Sequence, residues 1–232
     1  MIQRSAFQKE LNALQMDILK MGSKVEENIS KAIDSLAQQD QQLVEEVFRI
    51  EEEVDELEVL IEEKCLRLIA TQQPMAKDLR KIAAALNIIT DLERMSDYSV
   101  DIAKVTGIIG AEPLIKPLVD LPRMAELAQK MVKDSLDAYV REDQDLALSL
   151  GKADDEVDTL HNQVFRELLV LMMENPRTIK QATHLLFVSQ SLERIADHAT
   201  NISESVIYTV SGKRVDLNDS LHPFTRGVDK IR

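Results

Sequence analysis

Tryptophan is missing from this chain of 232 residues, and cysteine occurs once, at position 65. Glycine and proline number six each, and aromatic residues make up only 3%. A β-sandwich or barrel needs frequent turn residues with β-branched or aromatic side chains between them, so this composition speaks against one. A single thiol excludes an intrachain disulfide, and Cys65 falls near the apolar stripe of its helical pattern, where it reads as buried and inert. Basic residues are the minority: 28 Lys and Arg stand against 41 Asp and Glu, a formal net charge of -13. That balance is wrong for a nucleic-acid footprint or an anionic lipid surface, and suits bound cations or a soluble partner. No apolar run approaches a membrane span, and residues 1–10 carry no signal-peptide core, so a cytoplasmic protein is expected.

What remains is Leu, Ala, Glu, Gln, Lys and Met in helical register. Phe7, Leu11, Leu14, Ile18, Met21, Val25, Ile29, Ala32 and Leu36 step by three or four residues and predict a first helix. Leu43, Val47, Ile50, Val54, Leu57, Ile61 and Leu68 predict a second. A third is expected to begin at Pro74 and to pass through Leu79, Ile82, Leu86 and Ile89 to about Val105. Turns fall at residues 38–40 and 71–73. Gly107 through Pro122, with Gly110, Pro113 and Pro117, breaks the pattern and reads as a linker. Helices at about 121–141, 144–174 and 176–210 repeat the plan, and periodicity stops after Gly212. The predicted fold is all-α: two tandem, pseudo-symmetric, antiparallel three-helix bundles at residues 1–107 and 118–212. A tail, 213–232, with His222, Pro223 and Gly227, is expected to be loosely ordered or docked locally.

The repetition extends to side chains. Leu92, Glu93, Arg94 and Asp97 recur as Leu192, Glu193, Arg194 and Asp197, each 100 positions later. Glu51 and Asp55 match Asp154 and Asp158 at an offset of 103, as Asp40 matches Asp143, and Gln73-Pro74 matches Asn175-Pro176 at 102. A period of this length suits a duplicated small domain rather than a solenoid. In every copy the two acids stand four residues apart, on one helical face, where like charges repel unless a cation compensates them. The stripe Ile82, Leu86, Ile89 runs into Glu93, Asp97 and Asp101, and Leu186 likewise leads to Glu193, Asp197 and Asn201. Glu51 with Asp55, and Asp154 with Asp158, flank the seams of the neighbouring helices. Acids that continue an apolar stripe need compensation. Carboxylate oxygens without thiolates suit hard ions such as Mg, Ca or Mn, or an oxygen-bridged iron cluster.

The competing reading is that these acids pair with Arg94, Arg194, Lys64 or Lys104. Four copies at repeat-equivalent positions favour metal. His198, next to Asp197, and His161, three after Asp158, could join a site. Tyr98 and Glu58 occupy their equivalents, however, so the histidines read as surface or packing residues. The paired Glu-x-x-His of di-iron bundles is missing, as are a phosphate-binding glycine loop and a nucleophile elbow. Lys77, Arg80 and Lys81 near the start of the third helix, and Arg177 and Lys180 near that of the sixth, could hold an anion. Salt bridges to the acidic second helices are the plainer expectation for them.

Residues 68–80 (LIATQQPMAKDLR) followed by 91–97 (DLERMSD), with the tandem Glu/Asp-x-x-x-Asp pairs in both halves, resemble the PhoU phosphate-regulatory family. The resemblance spans about Phe7 to Arg214. It implies two three-helix bundles, often dimeric, whose motif carboxylates hold metal ions or multinuclear iron clusters. The positions that match are Glu51, Asp55, Glu93, Asp97, Asp154, Asp158, Glu193 and Asp197. Asp101 and Asn201 extend the third-helix faces, and neutral Asn201 leaves the second site one anionic ligand short. The family restrains phosphate uptake and starvation signalling, without catalysis, by engaging the ATPase of the phosphate ABC transporter and a sensor histidine kinase. Against this regulator stand a carboxylate-bridged metalloenzyme, which lacks a recognisable nucleophile or base here, and a plain helical scaffold with salt-bridged acids.

Overall fold

A computed structural model of the chain describes residues 2–217, with side chains from residue 6. The described part is built from six long helices: α1 (Ile2–Gln38), α2 (Gln41–Gln72), α3 (Lys77–Ile109), α4 (Asp120–Arg141), α5 (Gln144–Glu174) and α6 (Ile179–Ser211). Among the described residues no helix is long and apolar enough to cross a membrane. Helices α1–α3 form one antiparallel bundle and α4–α6 a second, as the periodicity predicts.

The matched pair Asp40 and Asp143 has a structural cause. Each caps the helix that follows: Asp40 accepts from the backbone N–H of Gln42 at 2.8 Å, and Asp143 from Asp145 and Leu146 at 3.1 and 3.0 Å. Such a cap stabilises a helix by about 1 kcal/mol. The residues before them, Gln39 and Glu142, both adopt left-handed backbone, φ 54° and 52°. Both bundles therefore turn their first corner in the same way. At the second corner they diverge, and one boundary differs from expectation. Gln73 takes a left-handed conformation (φ 46°) and Ala76 also has positive φ, so Pro74 lies in the turn and α3 begins at Lys77. In the second bundle Pro176 does open a 3₁₀ turn, Pro176–Thr178, with Asn175 accepting from Arg177 N–H at 3.2 Å.

The linker is shorter than its glycines and prolines suggest. α3 continues through Gly107, because one glycine costs a helix only about 1 kcal/mol while Thr106 and Ile109 are buried. The helix stops at Gly110, where φ is 57° and the N–H still reaches Thr106 O at 2.9 Å. At the far end Pro122 sits in the first turn of α4, a position that needs no N–H donor.

The two bundles do not stand apart. α3 packs against α1, α2 and α6, α6 packs against α3, α4 and α5, and α1 packs against α4. One continuous apolar core runs through both halves. Along the seam α3 and α6 run antiparallel: His198 and Asn201 contact Asp91, and Arg194 contacts Tyr98. These pairings are centred near buried Ser96 and Ala196, which are repeat equivalents. Lys77 and Lys81 extend from the start of α3 to Glu142 in the α4–α5 turn, at 2.6 and 2.5 Å. These two bases therefore pair across the bundles rather than with an acidic second helix.

α1 and α4 meet at Gly22. A Cβ there would lie 2.1 Å from Cδ1 of buried Leu136. Gly22→Val is expected to cost about 1–3 kcal/mol, the scale of core overpacking, and to lower Tm by roughly 2–12 °C for a chain of this size. Leu136→Ala, which removes the obstructing methyl, should make the double variant lose less than the two single losses combined. Thermal melts of the four proteins measure this, and strict additivity would show that Gly22 and Leu136 do not meet.

Candidate metal-binding seams

Each bundle carries an acidic seam between its second and third helices. In the first, Glu51 and Asp55 of α2 both feel Asp97 of α3, Glu51 also feels Asp55, and Glu93 feels Asp97, Glu58 and Asp55. In the second, Asp154 of α5 feels Asp158, Asp197 and Glu193, and Glu193 feels Asp197 and Asp158. The eight motif acids thus gather as two sets of four. The other two candidates have partners of their own. Asp101 is exposed and pairs with Lys104 at 2.9 Å, and Asn201 donates to Asp91 Oδ1 across the α3–α6 seam at 3.4 Å.

The two seams are nonetheless unequal. Burial, then like-charge neighbours, raises the carboxyls of Glu51, Asp55 and Glu93 above their ordinary range. The same causes push Asp154 and Glu193 up to about 7. Asp154 is only 6% exposed, and its Oδ1 has no hydrogen-bond partner. A buried carboxylate oxygen in that state is costly.

Arginine placement contributes to the difference. Arg94 lies on its own seam, 3.3 Å from Glu93 Oε2 and 3.4 Å from Asp97 Oδ2. The first contact is too poorly aligned to be a hydrogen bond, so Glu93 Oε2 still lacks one. Arg194, its repeat equivalent, turns instead to Tyr98, with Nη1 3.2 Å from the phenol oxygen and Cζ 5.8 Å from the ring centroid. Opposite Arg94 the matching position is His198, which is already held by Asp91 at 2.8 Å. The salt-bridge reading therefore holds for Arg94 and Lys104. Lys64 pairs elsewhere, with Asp17 of α1.

Both seams continue by one residue that the acidic motif alone does not include. Glu58, three after Asp55, accepts from Thr90 at 3.5 Å and is itself raised by burial, then by Asp55. His161, three after Asp158, sits part-buried with Nδ1 2.8 Å from Ser189 Oγ of α6, and burial lowers its pKa. The i+3 spacing at repeat-equivalent positions was the available signal for both. His161 is therefore a seam residue and not a surface one. Cys65 is buried, as its pattern implies, and burial raises its thiol to about 12.

Among the described residues no three His, Cys, Asp or Glu side chains already converge as a coordination sphere. What fits a cation is the chemistry: four acids per seam, oxygen donors, and in the second seam a buried oxygen without a partner.

The sequence profile of the PhoU domain matches residues 18–106 and again 121–206. The chain belongs to the PhoU family. A phosphate-specific transport system accessory protein PhoU homolog from Clostridium acetobutylicum is 42% identical over 217 residues, which is 93% of this chain and 99% of that protein. Its counterpart from Aquifex aeolicus is 42% identical over 89% of this chain and 94% of its own. The crystal structure of PhoU from Pseudomonas aeruginosa superposes with a TM-score of 0.85 at 36% identity, covering 89% of this chain and all of that one. The phosphate transport system regulatory protein PhoU from Streptococcus pneumoniae gives 0.84 at 30% identity, over 90% and 99%. The two profile matches coincide with the two bundles, and each contains one acidic seam.

The raised acids of this PhoU chain have a thermodynamic consequence. Their folded carboxyls hold protons that the unfolded chain releases near the ordinary carboxyl values of 3.8 and 4.5. The stability they contribute is present below those values and is lost as pH rises through about 7. Metal-free protein is therefore expected to melt at falling temperature from pH 4.5 to 7.5. Asp154→Asn should raise Tm at pH 7.5 and flatten the dependence. An Asn variant no more stable than the parent at pH 7.5 would show that Asp154 is not a strained charge.

Proposed function

We propose that this chain is a non-enzymatic, negative regulator of phosphate uptake and phosphate-starvation signalling. It acts in the cytoplasm as a homodimer, by docking on the ATPase of the phosphate ABC transporter and on a sensor histidine kinase. The observation that carries the reading is near-full-length similarity to proteins named as accessory to phosphate-specific transport, at up to 42% identity. The shape agrees with a docking role: five of the six long helices exceed 30 residues, presenting long continuous faces. Large apolar side chains stand exposed at both hairpin tips, Met75 and Leu79 in one bundle and Met173 and Ile179 in the other.

Carboxylate-bound metal in each bundle completes the proposal. Glu51, Asp55, Glu93 and Asp97 would hold one site, and Asp154, Asp158, Glu193 and Asp197 the other. When bound, a cation would supply positive charge beyond the single arginine beside each set of four acids. The carboxylates hold α2 to α3, and α5 to α6, across faces that otherwise repel. The seam thereby becomes a fastening rather than a reaction centre. Magnesium, calcium, manganese and an iron cluster all match oxygen donors.

Deleting the gene should raise phosphate uptake and a starvation-induced phosphatase in phosphate-rich medium. If neither rises, this copy does not restrain the pathway. Metal analysis of purified protein should give near-stoichiometric cation that falls in Glu93→Ala with Asp97→Ala. Equal, trace content in both proteins would leave the seams as plain acidic faces.

A further inference from the structure

The two seams differ at one repeat-equivalent position, and that difference is chemical. On α5 the row Asp154, Asp158, His161 faces Asp197, Glu193 and Ser189 of α6, whereas on α2 the row Glu51, Asp55, Glu58 faces Asp97, Glu93 and the Ile89–Thr90 turn of α3. In the helix both rows share one face, since their members are four and then three residues apart. One seam ends in a carboxylate and the other in an imidazole.

The hydrogen bonds around His161 decide which of its nitrogens is free. Ser189 Oγ donates to Met124 Sδ at 3.5 Å, so its oxygen is left to accept the Nδ1–H of His161 at 2.8 Å. That tautomer leaves the lone pair on Nε2. A ring fixed through one N–H, with the other nitrogen open, is the usual state of a histidine that binds metal. Its neighbour in charge is Asp158. One turn further along stands Asp154, whose buried Oδ1 has no partner.

We propose that the seams are chemically distinct cation sites: the α5–α6 seam, through His161, takes borderline transition ions such as zinc or cobalt, and the α2–α3 seam, with Glu58 in that place, takes hard ions such as magnesium or calcium. Imidazole nitrogen favours the first class and all-oxygen donors the second. This rests on the reading of the seams as metal sites, and goes beyond it by assigning a different ion class to each.

The test uses the full chain stripped of metal. Zinc is titrated while the ring nitrogens of the four histidines are followed by NMR, with His161→Gln supplying the assignment. The Nε2 resonance of His161 should move on zinc binding and stay in place with magnesium. His161→Gln, whose amide can still donate to Ser189, should weaken zinc binding on the order of 10–100-fold, the scale seen when support of a metal ligand is lost. Magnesium binding should be unaffected. Glu58→His should create a second zinc-responsive imidazole. If zinc saturates the protein with the His161 ring unchanged, the assignment of ion classes falls and the metal reading stands. If neither zinc, cobalt, magnesium nor calcium binds the wild-type chain, both fall together.

Discussion

Two helices in this molecule are each packed by three others, and much else follows from that. α3 is packed by α1, α2 and α6, and α6 by α3, α4 and α5. A helix enclosed on three sides cannot carry large side chains all round. Hence the small buried residues Ala85, Ser96, Ser99, Ala103 and Thr106 on α3, and Ser189, Ala196, Ala199, Thr200 and Ser203 on α6. Several of the hydroxyls satisfy themselves within their own helix, as Ser99 does with Met95 O at 3.1 Å and Ser203 with Ala199 O at 3.1 Å. The same enclosure explains why Glu93 and Glu193 are half-buried. They occupy the narrow sector of each central helix where the outer helix begins to cover it.

Pseudo-symmetry is obeyed by the backbone and broken by individual side chains. The capped corners at Asp40 and Asp143 are copies of one device. The pair Tyr98 and His198 is not: these occupy the same place in the repeat, yet the phenol oxygen accepts from Arg194 while the imidazole is tied to Asp91. One residue on the shared α3–α6 face therefore shares an arginine with the acidic groups Glu193 and Asp197. The second seam, with its arginine hydrogen-bonded to Tyr98 and Asp154 sealed from water, has the more strongly raised carboxyls.

The helices, their order and their pairing into bundles were legible because a 3.6-residue pattern sustained over thirty positions admits few alternatives. The eight motif acids were legible for a related reason: four-residue spacing, read on antiparallel neighbours, predicts which rows meet. Asp101 and Asn201 stand about 80° round their helices from Glu93 and Glu193, because each four-residue step turns by about 40°, and both have partners outside the acid pairs. Helix ends were less readable, since Gly107 and Pro74 have the composition of boundaries and only burial of Ile109 and the backbone of Gln73 decide otherwise. The role of Tyr98 lay in a contact between halves, and no local pattern announces that.

The α3–α6 contact joins the same face of the two repeats to itself. A surface that pairs with its own copy about a centre is the isologous contact of a two-fold dimer. Here the two partners happen to be joined by the short linker between Gly110 and Val119. A single three-helix unit bearing such a face would have been able to assemble in pairs before any duplication. Once the two copies were joined in one chain, each could change without its partner, and that freedom is what allowed a tyrosine on one side of the centre and a histidine on the other.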